Sequence, residues 1–314
     1  MVFPIKQKNK ISKYELEKKR IDKFKTMLLK VKYVAKNVIY LKGWSKKKLD
    51  KKINQINYED KVNFRFKNYL VKVVKEPDPL VSKSKELRYK SFFSDNKSKL
   101  DSDKFDSSCD HLVVIDTSIA NDFVVGSYRL LLKPKNKEKI SFYSESEFDL
   151  NKLLKIKELS LLEAGRSCVH KNYRDGRIIK LLWRGLASYI TDKNVDFIFG
   201  CASFPSSNSE LFNKELSYLS HNHKPPKYFN IKPLNHLRAK FNKVDRKYYD
   251  NGTVFRSLPP LIKAYIRAGA WIGEGAVCDH NFNTTDVLVI LKSKNIIKKY
   301  SNLSISCLLY TSPS

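Results

Sequence analysis

The stretch LEAGRSCVH, residues 162–170, puts a carboxylate, a guanidinium, a thiol and an imidazole on a run short enough to be one strand. A carboxylate such as Glu163 can take the proton of an attacking amine, directly or through a water. It can equally be locked in a structural pair with Arg166 or Arg129. Cys168 and His170, two apart, share a face if the run is extended, which is the arrangement of a nucleophile and its base. No third orienting group is evident in sequence, so a buried small apolar side chain and a hydrogen-bonded histidine are the plainer reading. Glu163 and Arg166, three apart, fall on opposite faces of a regular strand. They share a side only if a residue is inserted between them, and Ala164-Gly165 is where a β-bulge is expected. A bulge frees a backbone N–H, a ready donor to an oxyanion forming on a carbonyl under attack.

The run ends at HKNYRDGRIIK, where a basic, glycine-containing turn precedes an amphipathic helix. A helix start offers unpaired N–H groups and partial positive charge, a site for phosphate. Lys171, Arg174, Arg177 and Lys180 surround Gly176 there. Acyltransferases of the GNAT superfamily hold the phosphates of their donor in a similar turn. This one keeps only Gly176 of their pattern, which fits the single phosphodiester of an acyl carrier protein better than the pyrophosphate of coenzyme A.

Around this core the pattern is mixed α/β. A helix is expected over 80–95, strands at 111–116 and 123–132 joined by TSIAND, and a longer strand within 155–170. Helices follow at 176–194, 206–223 and 258–271, with a central strand at 195–204 and a last one at 284–291. Ile178, Leu182, Leu186 and Tyr189 should share the buried face of the 176–194 helix. Residues 1–79 read as a basic, mainly helical region whose stretch 25–43 has the composition of a membrane-surface segment. The prolines of EPDPL close it, an acyltransferase domain is placed at 80–300, and 306–314 looks like a non-native tail.

The chain has 314 residues and a formal charge of +29, from 61 Lys and Arg against 32 Asp and Glu. About 23 of the basic residues fall in the first 80 positions, against about 8 acidic ones. Such a field asks for an acidic partner or an anionic surface. Five scattered cysteines without a Cys-x-x-Cys pair argue against a disulfide framework or structural zinc. His221 and His223 have no evident third ligand, so no metal is expected. No long apolar span or signal peptide is read, which makes the expected location cytoplasmic.

LRYKSFF (87–93), DKFDSSCDHLVVID (103–116), VVGSYRLL (124–131), FYSESEFDL (142–150), LEAGRSCVH (162–170), LLWRGLASYI (181–190), FGCASF (199–204) and GEGAVCDHNFNTTDVLVIL (273–291) resemble, in order, the L-ornithine Nα-acyltransferases of ornithine-lipid synthesis, some labelled hemolysin-like. That family is in turn similar to the acyl-homoserine lactone synthases. The pattern common to both is carried by Arg88, Phe92, Asp103, Asp106, Arg129, Glu163 and Arg166.

The resemblance implies a GNAT-like α/β fold: a mixed, splayed central sheet flanked by helices, here with a basic N-terminal extension. It implies transfer of a 3-hydroxyacyl chain from acyl carrier protein, as its 4'-phosphopantetheine thioester, to the α-amine of L-ornithine, with no bound cofactor. Catalysis would rest on Glu163, Arg166 and Arg129. Asp103 and Asp106 would receive the two ammonium groups of the amino acid, or else cap backbone N–H groups of their loop. Arg129 or Arg88 would clamp its carboxylate, and Phe92 and His170 would line the acceptor side. Lys171, Arg174, Gly176, Arg177 and Lys180 would meet the carrier protein and its phosphate arm. The lipid product makes attachment to the inner face of the cytoplasmic membrane a further expectation. Two other readings remain: an acyl carrier protein-dependent enzyme with another acceptor, or a nucleic-acid-binding protein, against which stand the acids expected in the groove.

Overall fold

A computed structural model describes residues 62–93, 99–137 and 140–300, all within the compact unit Asp60–Ser314. Expectations for the 25–43 segment, most of the N-terminal region and the 306–314 tail lie outside the described residues.

Nine strands form one mixed sheet. In chain order they are β1 (Asn63–Phe66), β2 (Tyr69–Val74), β3 (Asp110–Asp116), β4 (Val124–Lys133), β5 (Leu161–Val169), β6 (Phe197–Phe204), β7 (Trp271–Ile272), β8 (Val277–Asp279) and β9 (Thr284–Lys292). Their spatial order is β1-β2-β3-β4-β5-β6-β9-β7, with β8 also on β9. Among the described residues, seven helices accompany them: α1 (Pro79–Phe92), α2 (Asn151–Leu154), α3 (Arg177–Asp192), α4 (Asn213–Asn222), α5 (Asn251–Ser257), α6 (Pro260–Arg267) and α7 (Ser293–Tyr300).

The expected 1–79 region needs correction at its end. Residues 63–74 are not helical: they form β1 and β2, and β2 pairs with β3 along its whole length, from Tyr69↔Asp116 to Val74↔His111. The sheet therefore takes in sequence before residue 80. Five of the six residues of YLVKVV are apolar, a run too short to separate a strand from a buried helical turn by periodicity.

Helix α3 shows why the sheet holds together. Ile178, Leu182, Leu186 and Tyr189 are all buried, as their spacing predicts. Each aliphatic member contributes about 1.5–3 kcal/mol on leaving water. They pack on the sheet face carrying Leu112, Val114, Tyr128 and Leu130. The opposite face, which bears Arg129, Leu131 and Glu163, is covered by α1 and by the 142–154 segment through Phe142, Phe148, Leu150 and Leu153. Helix α1 starts at Pro79 with Asp78 accepting from the Leu80 N–H at 2.9 Å.

The sheet is splayed where the chemistry was expected. β5 runs antiparallel to β4 but parallel to β6, and the parallel pairing covers only Leu161↔Phe197, Leu162↔Ile198 and Glu163↔Phe199. Beyond Glu163 the two strands separate. Gly200 marks the fork: a Cβ there would lie 2.4 Å from the Ala164 carbonyl oxygen, so only glycine lets the strands approach so closely before parting.

Candidate active site

A cavity of about 470 Å³ opens at the fork. Glu163, Ala164, Gly165 and Arg166 from β5 form one wall, and Gly200, Cys201, Ala202 and Ser203 from β6 form the other. Arg129, Tyr143 and Ser144 close one side, and Phe92, Phe282 and Asp286 lie at the other.

The bulge is real but lies two residues later than expected. Ser127 pairs with Cys168 and Arg129 with Gly165, so three steps on β5 oppose two on β4. The irregularity falls at Arg166-Ser167, and Arg166 itself has a φ of 51°. Its side chain thereby joins Glu163 on the cavity side. Left-handed backbone at a non-glycine residue is costly and is held here by the contacts of the side chain. The Arg166 guanidinium lies between the rings of Tyr143, at 4.5 Å, and Phe282, at 4.7 Å.

Glu163 is paired with neither Arg166 nor Arg129. One oxygen accepts from the Tyr143 N–H at 3.0 Å, and the other accepts from the Ser144 N–H at 2.7 Å and the Ser144 hydroxyl at 2.6 Å. Burial pushes the Glu163 carboxyl up, and these donors with the Arg129 charge only partly pull it back. The result is a fixed carboxylate with raised proton affinity at the apex of the fork.

The residues expected to hold the acceptor's charges are largely engaged with each other. Arg88 is wholly buried; its Nε donates to Asp101 at 2.7 Å and its Nη1 to Asp106 at 2.7 Å. Arg129 donates to Asp103 at 2.6 Å and to Asp106 at 3.4 Å. Arg166 faces Asp101 at 3.2 Å and Asp103 at 3.5 Å. Three arginines and three aspartates thus balance. Arg88 and Asp106, both fully enclosed, are not among the residues lining the cavity. Arg129, Arg166 and Phe92 do line it.

Burial pushes the Asp106 carboxyl up, but the hydrogen bond and charge of Arg88, the Asp103 N–H and the Arg129 charge outweigh it and hold the group at about 2. A depressed folded value stabilises the fold above the unfolded value of 3.8, and that contribution is lost as pH falls toward 2. Urea unfolding should show the wild type losing about 2 kcal/mol more than Asp106→Asn over this window. Equal losses would mean that the network does not hold the charge.

His170 was expected on the acceptor side, but it is not among the residues lining the cavity. Its ring contacts Phe123 and Tyr173, and its Nδ1 accepts from the Asn172 N–H at 3.4 Å. Burial holds the Cys168 thiol up at about 12, so it is no thiolate at neutral pH. His221 and His223 contact the hydroxyls of Tyr249 and Tyr218.

The turn expected to hold phosphate follows the end of β5 at Val169. Gly176 adopts a φ of 89°, a conformation that glycine enters freely, and α3 begins at the next residue. Lys171, Arg174 and Arg177 are exposed. Arg174 donates to the Val169 carbonyl at 3.0 Å, and Arg177 pairs with Asp175 at 2.6 Å. Lys180 lies one turn further along α3.

Sequence reasoning missed Ser144, Cys201, Glu147 and Asp286. Asp286 had a signal, an acid embedded in the apolar strand TTDVLVIL. Glu147 follows the short 3₁₀ turn at Tyr143–Ser146, and nothing local marks it.

Residues 87–184 match the acetyltransferase (GNAT) domain. Over 233 residues the chain is 36% identical to the L-ornithine N(alpha)-acyltransferase of Brucella abortus (strain 2308), covering 70% of this chain and 83% of that protein. It is 38% identical to the protein of the same name from Agrobacterium fabrum, covering 70% and 80%. Among solved structures, the AHL synthase LasI is 13% identical with a TM-score of 0.40, covering 74% of this chain and 95% of that one. Among the described residues, no helix is long and apolar enough to cross a membrane.

Proposed function

The chain belongs to the L-ornithine Nα-acyltransferase family and is a GNAT-type acyltransferase, and from that premise we propose that it moves a 3-hydroxyacyl chain from acyl carrier protein to the α-amine of L-ornithine, forming lyso-ornithine lipid. The observation that carries this reading is the forked gap between β5 and β6 with Glu163 fixed at its apex.

The thioester enters between the diverging strands, its carbonyl toward the bulge at Arg166-Ser167. There the ladder is interrupted, and backbone donors can stabilise an oxyanion. The neutral α-amine attacks the carbonyl carbon, and Glu163 takes the amine proton, directly or through a water. The tetrahedral intermediate then collapses: the C–S bond breaks, the amide forms, and the carrier's thiol leaves with a proton. Orientation supplies much of the rate, because a thioester is already activated. Arg129 and Arg166 face the acceptor's carboxylate. Cys109 and Cys201, at the cavity wall, are held as thiols by burial, in keeping with direct attack rather than an acyl-enzyme.

We place the carrier protein against Lys171, Arg174, Arg177 and Lys180, with its phosphate at the Gly176 turn. Acidic carriers would be steered there, faster at low salt. Membrane-surface attachment through residues 25–43 belongs to the same proposal.

The test is incubation of the purified protein with 3-hydroxyacyl carrier protein and ornithine, lysine or glycine, followed by mass spectrometry. N-acyl ornithine is the expected product. Transfer from acyl-coenzyme A alone, or to another amino acid alone, would overturn the donor or the acceptor assignment.

A second variant probes the gap itself. A Cβ on Gly165 meets no atom within 4 Å, so a side chain there projects into free space. Gly165→Leu should cut turnover at least about 100-fold by filling the position of the thioester, a loss on the scale expected from displaced reacting atoms. Its melting temperature should be little changed. Full activity in this variant would place the acyl chain elsewhere.

A further inference from the structure

Around the cavity, most acids are already engaged. Asp101, Asp103 and Asp106 face arginines, and Glu163 accepts three hydrogen bonds. Glu147 and Asp286 differ. Glu147 is 4% exposed, and neither of its oxygens accepts a hydrogen bond of ordinary geometry from the protein; Asp286 is 5% exposed, and its Oδ1 is unpartnered. Asp286 lines the cavity, opposite Ser203 in the β6–β9 pairing. The carboxylates of Glu147, Asp279 and Asp286 each have an oxygen within 4.8 Å of the other two. Burying unpaired charge of one sign is costly unless a cation joins it.

We infer that Asp286 and Glu147, with Asp279 at their outer side, form the subsite that takes the side-chain ammonium of a diamino-acid acceptor. This deepens the proposed ornithine reading and rests on it. The position suits the role. From Glu163, the Ser144 hydroxyl is at 2.6 Å and the Cys201 thiol is 3.5 Å beyond it, and Glu147 lies beside that thiol. The unpaired acids are thus one hydroxyl and one thiol away from the group that receives the α-amine's proton. A short diamine spans such a gap, with its reactive end at Glu163 and its distal end at Asp286. The aspartates first expected to bind both ammonium groups, Asp103 and Asp106, are held by arginines, which leaves Asp286 in the cavity wall, with Glu147 beside it, as acids that no arginine pairs with among the described residues.

Burial is the largest cause raising both carboxyls; the Asp286 and Asp279 charges add to it at Glu147, and the Asp279 charge adds to it at Asp286. A bound ammonium would oppose both effects. An organic cation fits better than Ca²⁺ or Mg²⁺, which ask for six or more oxygen ligands, whereas a sulfur lies among the neighbours here.

The test compares L-ornithine with L-norvaline, which has the same carbon chain but no distal amine. Calorimetry on the full-length protein should show ornithine binding at least about tenfold tighter than norvaline. In Asp286→Asn and in Glu147→Gln the ratio should fall toward one, and the KM for ornithine should rise far more than its kcat falls. Each variant removes a buried charge, so both should fold, as thermal unfolding will report.

Equal binding of the two amino acids by the wild type would overturn the inference, as would a ratio preserved in both variants. Loss of kcat on both amino acids to the same degree would also overturn it, because the pair would then act on the reacting amine. Tight Ca²⁺ or Mg²⁺ binding that competes with ornithine would make this a metal site instead. A wild type that discriminates the two amino acids but transfers no acyl chain to ornithine would leave the subsite standing and overturn the ornithine reading.

Discussion

Glu163→Gln is expected to lower kcat by about 10²- to 10⁴-fold with little change in donor affinity, the loss typical of a removed general base. The substitution keeps size and shape but removes the charge and half of the acceptor capacity. Two roles of Glu163 must be separated, because its carboxylate also anchors the Tyr143–Ser146 turn through three donated hydrogen bonds. Ser144→Ala removes one of those donors and leaves the carboxylate in place. Its expected loss is less than about tenfold, in line with one hydrogen bond. The pH profile separates the roles further. A base with a raised proton affinity is lost as pH falls below its folded value, so the wild type should show an acid limb above the ordinary carboxylate range at saturating acceptor. That limb should be absent in Glu163→Gln. Full activity in the glutamine variant would remove Glu163 as the base, and equal losses in the two variants would make it an anchor alone.

Arg88→Met is expected to destabilise the protein by about 3–5 kcal/mol, read from chemical unfolding, because it breaks a buried ion pair on one side only. Arg88 bridges Asp101 and Asp106, two carboxylates at 8% and 0% exposure. Without it both are left in a medium that solvates charge poorly. The damage should also reach the cavity, since Asp106 contacts Arg129 and Asp101 contacts Arg166. Lysine is no substitute, having a point charge where a planar fork reaches two acids. Unchanged stability with a raised KM for the amino acid would instead restore Arg88 as a substrate clamp.

Much of the architecture could be read from the chain, and the reasons differ by element. Helix α3 was legible because four apolar residues at helical spacing meet a sheet face that buries all of them. β6 was legible because an apolar run with little polar alternation belongs at the centre of a sheet. β1 and β2 were not, because both are short and lie within a stretch rich in lysine that reads as one basic region. The need for a bulge followed from strand alternation between Glu163 and Arg166. Its position did not, because the conformation is taken up by Arg166 itself rather than by the neighbouring glycine. Within the site, residue types told which groups carry charge but not who partners whom. Arg88, Asp103 and Asp106 looked like substrate ligands because pairing across about 20 residues of loop and helix cannot be read from spacing. Glu147 and Asp286 became visible only when the other acids of the cavity had been matched with their partners.

In the proposed mechanism the acyl chain is handed over in the fork between β5 and β6. The most direct measurement is a structure of the protein with an acyl-pantetheine analogue whose thioester sulfur is replaced so that it cannot react. The account places the analogue's carbonyl between Ala164–Arg166 and Gly200–Ala202, its oxygen toward the bulge and its carbonyl carbon within reach of an amine beside Glu163. An acyl group bound elsewhere, such as in the separate cavity lined by Lys224, Arg238 and Lys243, with the fork left empty, would contradict it.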